Sequence, residues 1–124
     1  MACPFCIENG MVKVLEATEE AYLIATLDRN GEVLPGCYFI IPKEHVEDVL
    51  MLPDAWWRSV KQLAPRIPGI SEAHFNMYFN QGEVAGQRVR HVHMWVVLRT
   101  ESETMPSYGL GLAALVRRAN QSKS

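Results

Sequence analysis

Apolar and polar positions along this chain fall into two periods, one near two residues and one near three and a half. AYLIATLD (Ala21–Asp28) is apolar and bounded by the turn signal RNGE, so it reads as a strand. PGCYFIIPKEH opens with a turn and continues as a strand, Cys37–Ile41, closed by Pro42. The two runs are spaced like a hairpin. VEDVLMLPDAWWRSVKQLAPRI has helical spacing: Pro53 and Asp54 suit a helix start, and Trp57, Val60, Lys61 and Ala64 fall three and four apart. HFNMYFNQGE reads as a strand entering a Gly-containing loop, RVRHVHMWVVL as the next strand, and YGLGLAALVRRA as a closing helix. This order predicts an α+β domain, a mostly antiparallel sheet of about five strands packed with helices. No repeat is visible; 120–124 reads as a disordered polar tail and 1–124 as one domain.

Composition narrows the classes. Apolar residues make up 48% of the chain, enough for an ordinary core, yet no run is long enough to span a bilayer. No cleavable signal pattern stands at Met1, so a cytoplasmic location without a membrane partner is expected. A net charge of −2 gives no clamp for nucleic acid, whose backbone demands clustered Lys and Arg. The nearest basic pair, Arg117 and Arg118, suits a helix C-terminus. Three cysteines are an odd count and argue against a disulfide framework.

The chemistry concentrates in RVRHVHMWVVL. Alternation puts His91, His93, Trp95 and Val97 on one face and Val92, Met94, Val96 and Leu98 on the other, the second reading as core. Two histidines two apart are weak evidence alone; hydrogen-bonded histidines at a sheet surface would look the same. Upstream, however, stands NQGEVAGQRV. Gly82 and Gly86 allow positive φ or a close backbone approach, and the amides of Asn80 and Gln87 can donate to a phosphate. A turn rich in N–H groups is an anion cradle, although Asn and Gly are also what plain turns use.

NQGEVAGQRVRHVHMW resembles the histidine triad (HIT) motif, N-x-G-x-x-x-G-Q-x-V-x-H-x-H-x-H. Asn80, Gly82, Gly86, Gln87, Val89, His91 and His93 match without a gap, and Trp95 stands where the third histidine belongs. FIIPKEHVEDV resembles the family's Pro-Lys strand end with its following histidine, and CPFC the Cys-x-x-Cys that opens many members. The resemblance is to the zinc-containing branch of Hint-like nucleotide hydrolases. It implies an α+β domain pairing as a homodimer, a small nucleotide or nucleotide conjugate as partner, and hydrolysis or transfer of a nucleotidyl group. His93 would be the catalytic nucleophile, forming a covalent nucleotidyl-histidine that splits one displacement into two. Asn80, Gly86, Gln87 and Trp95 would bind the phosphate, and Asp28 the ribose, although its spacing to PGCYFIIP is one residue off.

Cys-Pro-aromatic-Cys also looks like a glutaredoxin site. That site needs a preceding strand, and here the motif begins at residue 3. The resemblance implies instead a structural zinc on Cys3, Cys6, His45 and His91, with residues 1–7 as its N-terminal segment. Cys37 reads as a small packed residue, His74 as a surface or strand-end histidine, and Trp56 and Trp57 as core and half-exposed helix positions. Phe5, Ile7, Ile24 and Leu27 are possible walls of a base pocket, with a core reading stronger for each. Two functions remain open: a nucleotidyl hydrolase or transferase, or a nucleotide-binding module with little catalysis because Trp95 replaces the third histidine. A nucleic-acid end-processing enzyme is disfavoured, because no basic extension is present.

Overall fold

The structure, a computed structural model, describes residues 2–28 and 30–99. Its order is β1 (Glu16–Ala17), β2 (Ala21–Leu27), β3 (Val33–Pro42), α1 (Asp54–Leu63), β4 (His74–Phe79) and β5 (Met94–Arg99), with single turns of 3-10 helix between. The strands form one sheet in the order β1-β2-β3-β5-β4, and every neighbouring pair is antiparallel. This is the α+β architecture expected. The closing helix and the tail lie outside the described residues.

The sheet is buried on both faces through its middle. On one face Ala21, Leu23, Ile40, Met94 and Val96 pack against Trp56, Val60, Leu63 and Ala64 of the helical segment. On the other, Tyr22, Ile24, Phe39 and Ile41 are covered by Phe5, with Cys3, Ile7, Val12 and Val14 alongside. An irregular N-terminal segment therefore does the work that a second helix does in a three-layer fold. That is why β2 and β3 read as continuous apolar runs.

Several local expectations are corrected. The strand expected over Cys37–Ile41 runs from Val33 to Pro42, so Pro42 ends the strand from within. α1 begins at Asp54 behind Pro53, as expected, and buries Trp56, Ser59, Val60 and Leu63, while Trp57 and Lys61 face solvent. β5 begins only at Met94, so His91 and His93 precede it. Three groups explain the late start. Pro42 has no N–H for the ladder, its carbonyl accepts from the His91 ring at 2.7 Å, and Val92 donates its N–H to Val46 instead. The face assignment nevertheless stands, since Met94 and Val96 pack under α1 while Trp95 and Val97 pack on the opposite side. Leu27 is 55% exposed and lies outside the core, whereas Phe5 and Ile24 are core and Ile7 is half-buried against them. Cys37 is buried beside Leu34 and Val97, and His74 starts β4 on the exposed side.

Trp56 is 0% exposed and Trp57 43%, so truncation should separate them. Trp56→Ala should lose about 3–5 kcal/mol of unfolding free energy in a urea titration. Trp57→Ala should lose about 1 kcal/mol.

Candidate metal centre and nucleotide site

The N-terminal segment is held down before any ligand is considered. Tyr22, inside β2, donates its hydroxyl to the Phe5 carbonyl at 2.5 Å, and Asn9 donates its side-chain amide to the Cys3 carbonyl at 2.9 Å. Phe5 then lies edge-on to Phe39, with ring centroids 5.6 Å apart. This puts the thiols of Cys3 and Cys6 at the end of β3, where His45 and His91 arrive from the two following loops.

Cys3 Sγ lies 3.4 Å from His91 Nδ1, Cys6 Sγ 3.3 Å from His45 Nδ1 and 3.6 Å from His91 Nδ1. All four ligand atoms fall within 4.8 Å of one another. Tetrahedral zinc with ordinary Zn–S and Zn–N bonds sets its ligand atoms about 3.3–3.8 Å apart. The four residues expected to hold metal are thus brought together at nearly that spacing. Both rings are fixed from behind. His91 Nε2–H donates to the Pro42 carbonyl at 2.7 Å, and His45 Nε2 lies 3.0 Å from Glu47 Oε2. Each hydrogen bond turns the Nδ1 lone pair toward the thiols, as outer partners do around histidine ligands. Burial keeps His91 below the ordinary imidazole range, hence neutral. Burial, together with the adjacent Cys3 thiol, pushes Cys6 up to about 11. A dication among these atoms would reverse that and hold the thiols as thiolates.

His93 is buried, edge-on to Phe5 at 4.9 Å and to Phe39 at 4.8 Å. Its Nδ1 is 2.8 Å from the carbonyl of His91. A carbonyl only accepts, so Nδ1 carries the proton and Nε2 the lone pair. Burial lowers the His93 pKa against the pull of that hydrogen bond, which keeps the ring neutral. His91, one of the four candidate ligands, thus holds the neighbouring imidazole through its own backbone.

Trp95 pairs with Phe39 on β3 and Tyr78 on β4. Its indole stacks on Tyr78 at an interplanar angle of 7° and meets Phe39 edge-on at 4.5 Å. Its Nε1–H is buried and has no acceptor among the described residues. Asp28 uses Oδ1 to accept from the N–H groups of Asn30 and Glu32, at 2.8 and 3.0 Å, which shapes the β2–β3 turn. Its Oδ2 is buried and unpartnered among the described residues, as is Thr26 Oγ1. Thr26 was not singled out from sequence, although alternation from Asp28 puts it on the same face. Orphaned polar atoms of this kind are uncommon, and sites that await a ligand are one reason for them.

The glycine loop is less open than its composition suggested. Ala85 and Gln87 donate their N–H groups to the Gly82 carbonyl, and Gly86 donates to Glu83. Gln87 accepts from the Gly82 N–H at 2.7 Å and donates to the Val89 carbonyl at 2.9 Å, so its amide staples the loop. The donors left for a phosphate are the second N–H of Gln87 and the side chain of Asn80, which packs against Gly86. The loop also borders a cavity of about 620 Å³ between Glu47 and Arg90. Glu47 and Gln81, which join this loop to the metal ligands, carry no motif signal.

With this geometry in view, the comparisons with known proteins are direct. The HIT domain family matches residues 13–102, and the chain belongs to that family. It is 31% identical to the adenosine 5'-monophosphoramidase of Schizosaccharomyces pombe, covering 90% of this chain and 82% of that protein. It is also 31% identical to an uncharacterized HIT-like protein of Methanocaldococcus jannaschii, over 82% of this chain and 81% of the other. Among solved structures, a zinc-bound histidine triad family protein from Mycobacterium smegmatis shares the fold, with a TM-score of 0.65, 24% identity and coverage of 99% and 96% of the two chains.

Gly86 has a φ of 103°, and an added Cβ would sit 3.4 Å from Asn80 Nδ2. Gly86→Ala should therefore lower stability by about 1–3 kcal/mol in a urea titration and shift the amide resonances of the loop.

Proposed function

We propose that this protein is a nucleotide hydrolase or nucleotidyltransferase that acts at the α-phosphate of a small nucleotide conjugate through a covalent nucleotidyl-His93. One observation carries the reading: His93 Nδ1–H is committed to the His91 carbonyl, which leaves a neutral Nε2 lone pair with no partner among the described residues. A nucleophile in this state needs no separate base. Nε2 attacks phosphorus, the Nε2–P bond forms, and the bond to the leaving group breaks with its electron pair going to that group. Water then attacks the same phosphorus, the Nε2–P bond breaks, and the imidazole is regenerated. The activity named for the fission-yeast relative, on an adenosine 5'-monophosphoramide, is of this chemical type.

The other residues take roles around that step. Asn80 and the remaining N–H of Gln87 would hold phosphate oxygens, with Gly86 allowing close approach. The unpartnered Oδ2 of Asp28 is a ready acceptor for ribose hydroxyls. Cys3, Cys6, His45 and His91 would hold one zinc. Four protein ligands leave such a metal no open position, so it supplies structure and not Lewis-acid chemistry. A homodimer and a cytoplasmic location belong to the same reading. The first is supported by an apolar groove between α1 and the edge strand β4, where Phe75 is 45% exposed. The second is supported only in that no helix among the described residues is long and apolar enough to cross a membrane.

A second reading, a nucleotide-binding module, is favoured by Trp95. Indole offers one N–H donor and no proton to transfer near neutral pH. The buried, unpartnered Nε1–H can still donate to a leaving oxygen. Losing a positioned general acid is worth about 10²–10⁴-fold in rate and weighs most on poor leaving groups. Conjugates with acidic leaving groups are therefore the preferred substrates.

Metal analysis of chelator-free protein should find one zinc per chain, and Cys3→Ser should lower zinc content and thermal stability together; protein purified without metal would remove the assignment. His93→Ala should abolish turnover of an adenylyl conjugate and trapping of the nucleotidyl adduct, with zinc content unchanged. Trp95→His should raise turnover selectively for amine and alkyl leaving groups. If every substrate stays at background while nucleotide still binds, the protein is a binding module.

A further inference from the structure

Glu47 and Gln81 are 34 residues apart in sequence, yet one short relay of side chains joins the segment carrying His45 to the glycine loop. It starts at His45, whose Nδ1 faces the Cys6 thiol while its Nε2 lies 3.0 Å from Glu47 Oε2. Glu47 then acts a second time through its backbone: its carbonyl accepts from Gln81 Nε2 at 3.2 Å. The oxygen of the same Gln81 amide accepts from the Val49 N–H at 2.8 Å. Gln81 is thus clamped at both ends on 47–49, one residue before Gly82. From Gly82 onward the loop is tied together by the Gln87 amide.

We propose that Glu47 and Gln81 are positioning residues that couple occupation of the metal centre to the order of the phosphate loop. Among the described residues the Gln81 amide makes the side-chain hydrogen bonds from the loop to the segment carrying His45, and the relay is specific in kind. Glu47 fixes which imidazole nitrogen faces the thiols. Gln81 reports the place of that segment to the loop by two directed hydrogen bonds in place of packing. The relay lies at the surface, so each contact competes with water and is weak alone. A metal that immobilises His45 removes the freedom of the Glu47 side chain and makes the next contact easier to form. The coupling is reciprocal: whatever orders the loop also tightens metal binding, by the same factor. A second route, from His91 through its carbonyl to His93, serves the imidazole and does not pass through Gln81. The metal centre thereby reaches both halves of the site by separable paths. This inference rests on the assignment of the four ligands in the proposed function, but it requires no turnover.

Amide hydrogen exchange on the full chain, zinc-loaded and chelator-stripped, reads the coupling directly. In the wild type, zinc should slow exchange of amides in 82–87 by about fivefold or more, within the usual range for coupled sites. Gln81→Ala should still take up one zinc but lose this response, while the amides of α1 behave as in the wild type. Glu47→Ala should weaken zinc binding about 10–100-fold, as loss of an outer partner does, and Glu47→Gln should restore part of it. Equal loop exchange with and without zinc in the wild type, or a full zinc response in Gln81→Ala, would overturn the coupling. A chain that takes up no zinc would overturn the metal assignment and the coupling together. Turnover retained in His93→Ala with the loop response intact would sink the catalytic reading alone, so the two failures are distinct.

Discussion

His91 is an imidazole with no exposed surface, and both its ring nitrogens are committed, Nε2–H to the Pro42 carbonyl and Nδ1 to the thiols of Cys3 and Cys6. A buried polar ring is tolerated only if each nitrogen has a partner of the right kind. That requirement fixes the end of β3, because Pro42 must offer its carbonyl outward. It fixes the N-terminal segment, because the thiols must reach the ring. It also turns the carbonyl of His91 toward His93, which sets the tautomer of the only other buried imidazole among the described residues.

The N-terminal segment is therefore cover and ligand source at once. Phe5 closes the apolar face over Tyr22 and Phe39 and also forms one wall against His93. Apolar packing and site chemistry thus draw on the same side chains. The sheet face under α1 holds one buried, unpartnered polar atom among the described residues, Trp56 Nε1, whereas the opposite face keeps three, at Thr26, Asp28 and Trp95.

Much of this was legible in the residues, and the failures have physical causes. Alternation correctly separated Trp95 and Val97 from Met94 and Val96, because a strand buried on two faces still obeys period two. The cluster of Cys3, Cys6, His45 and His91 was visible only through motif resemblance, since Cys3 and His91 meet across 88 residues and no local pattern records that. The start of β5 was misplaced because the limit is set by Pro42 on another strand. Trp56 and Trp57 were separated correctly as core and half-exposed positions, while the burial of Ser59 carried no signal in the spacing. Gln87 stood out as an amide donor, but nothing local recorded that its carbonyl oxygen also ties the loop by accepting from the Gly82 N–H. β1 is two residues long and carries no pattern at all.

The separation of the ligands along the chain has a consequence for how the molecule assembles. Contacts spanning 39 and 88 residues close large loops, and their entropy is lost before any ligand bond can form. The β2–β3 hairpin and the β4–β5 pair need far shorter closures. Polymer statistics therefore put the joining of Cys3 and Cys6 to His91 after the β2–β3 and β4–β5 pairs, as a late knot drawn across a framework already begun. The imidazole of His93 takes up its tautomer against a carbonyl within that knot, so the arrangement of this ring is settled late in folding.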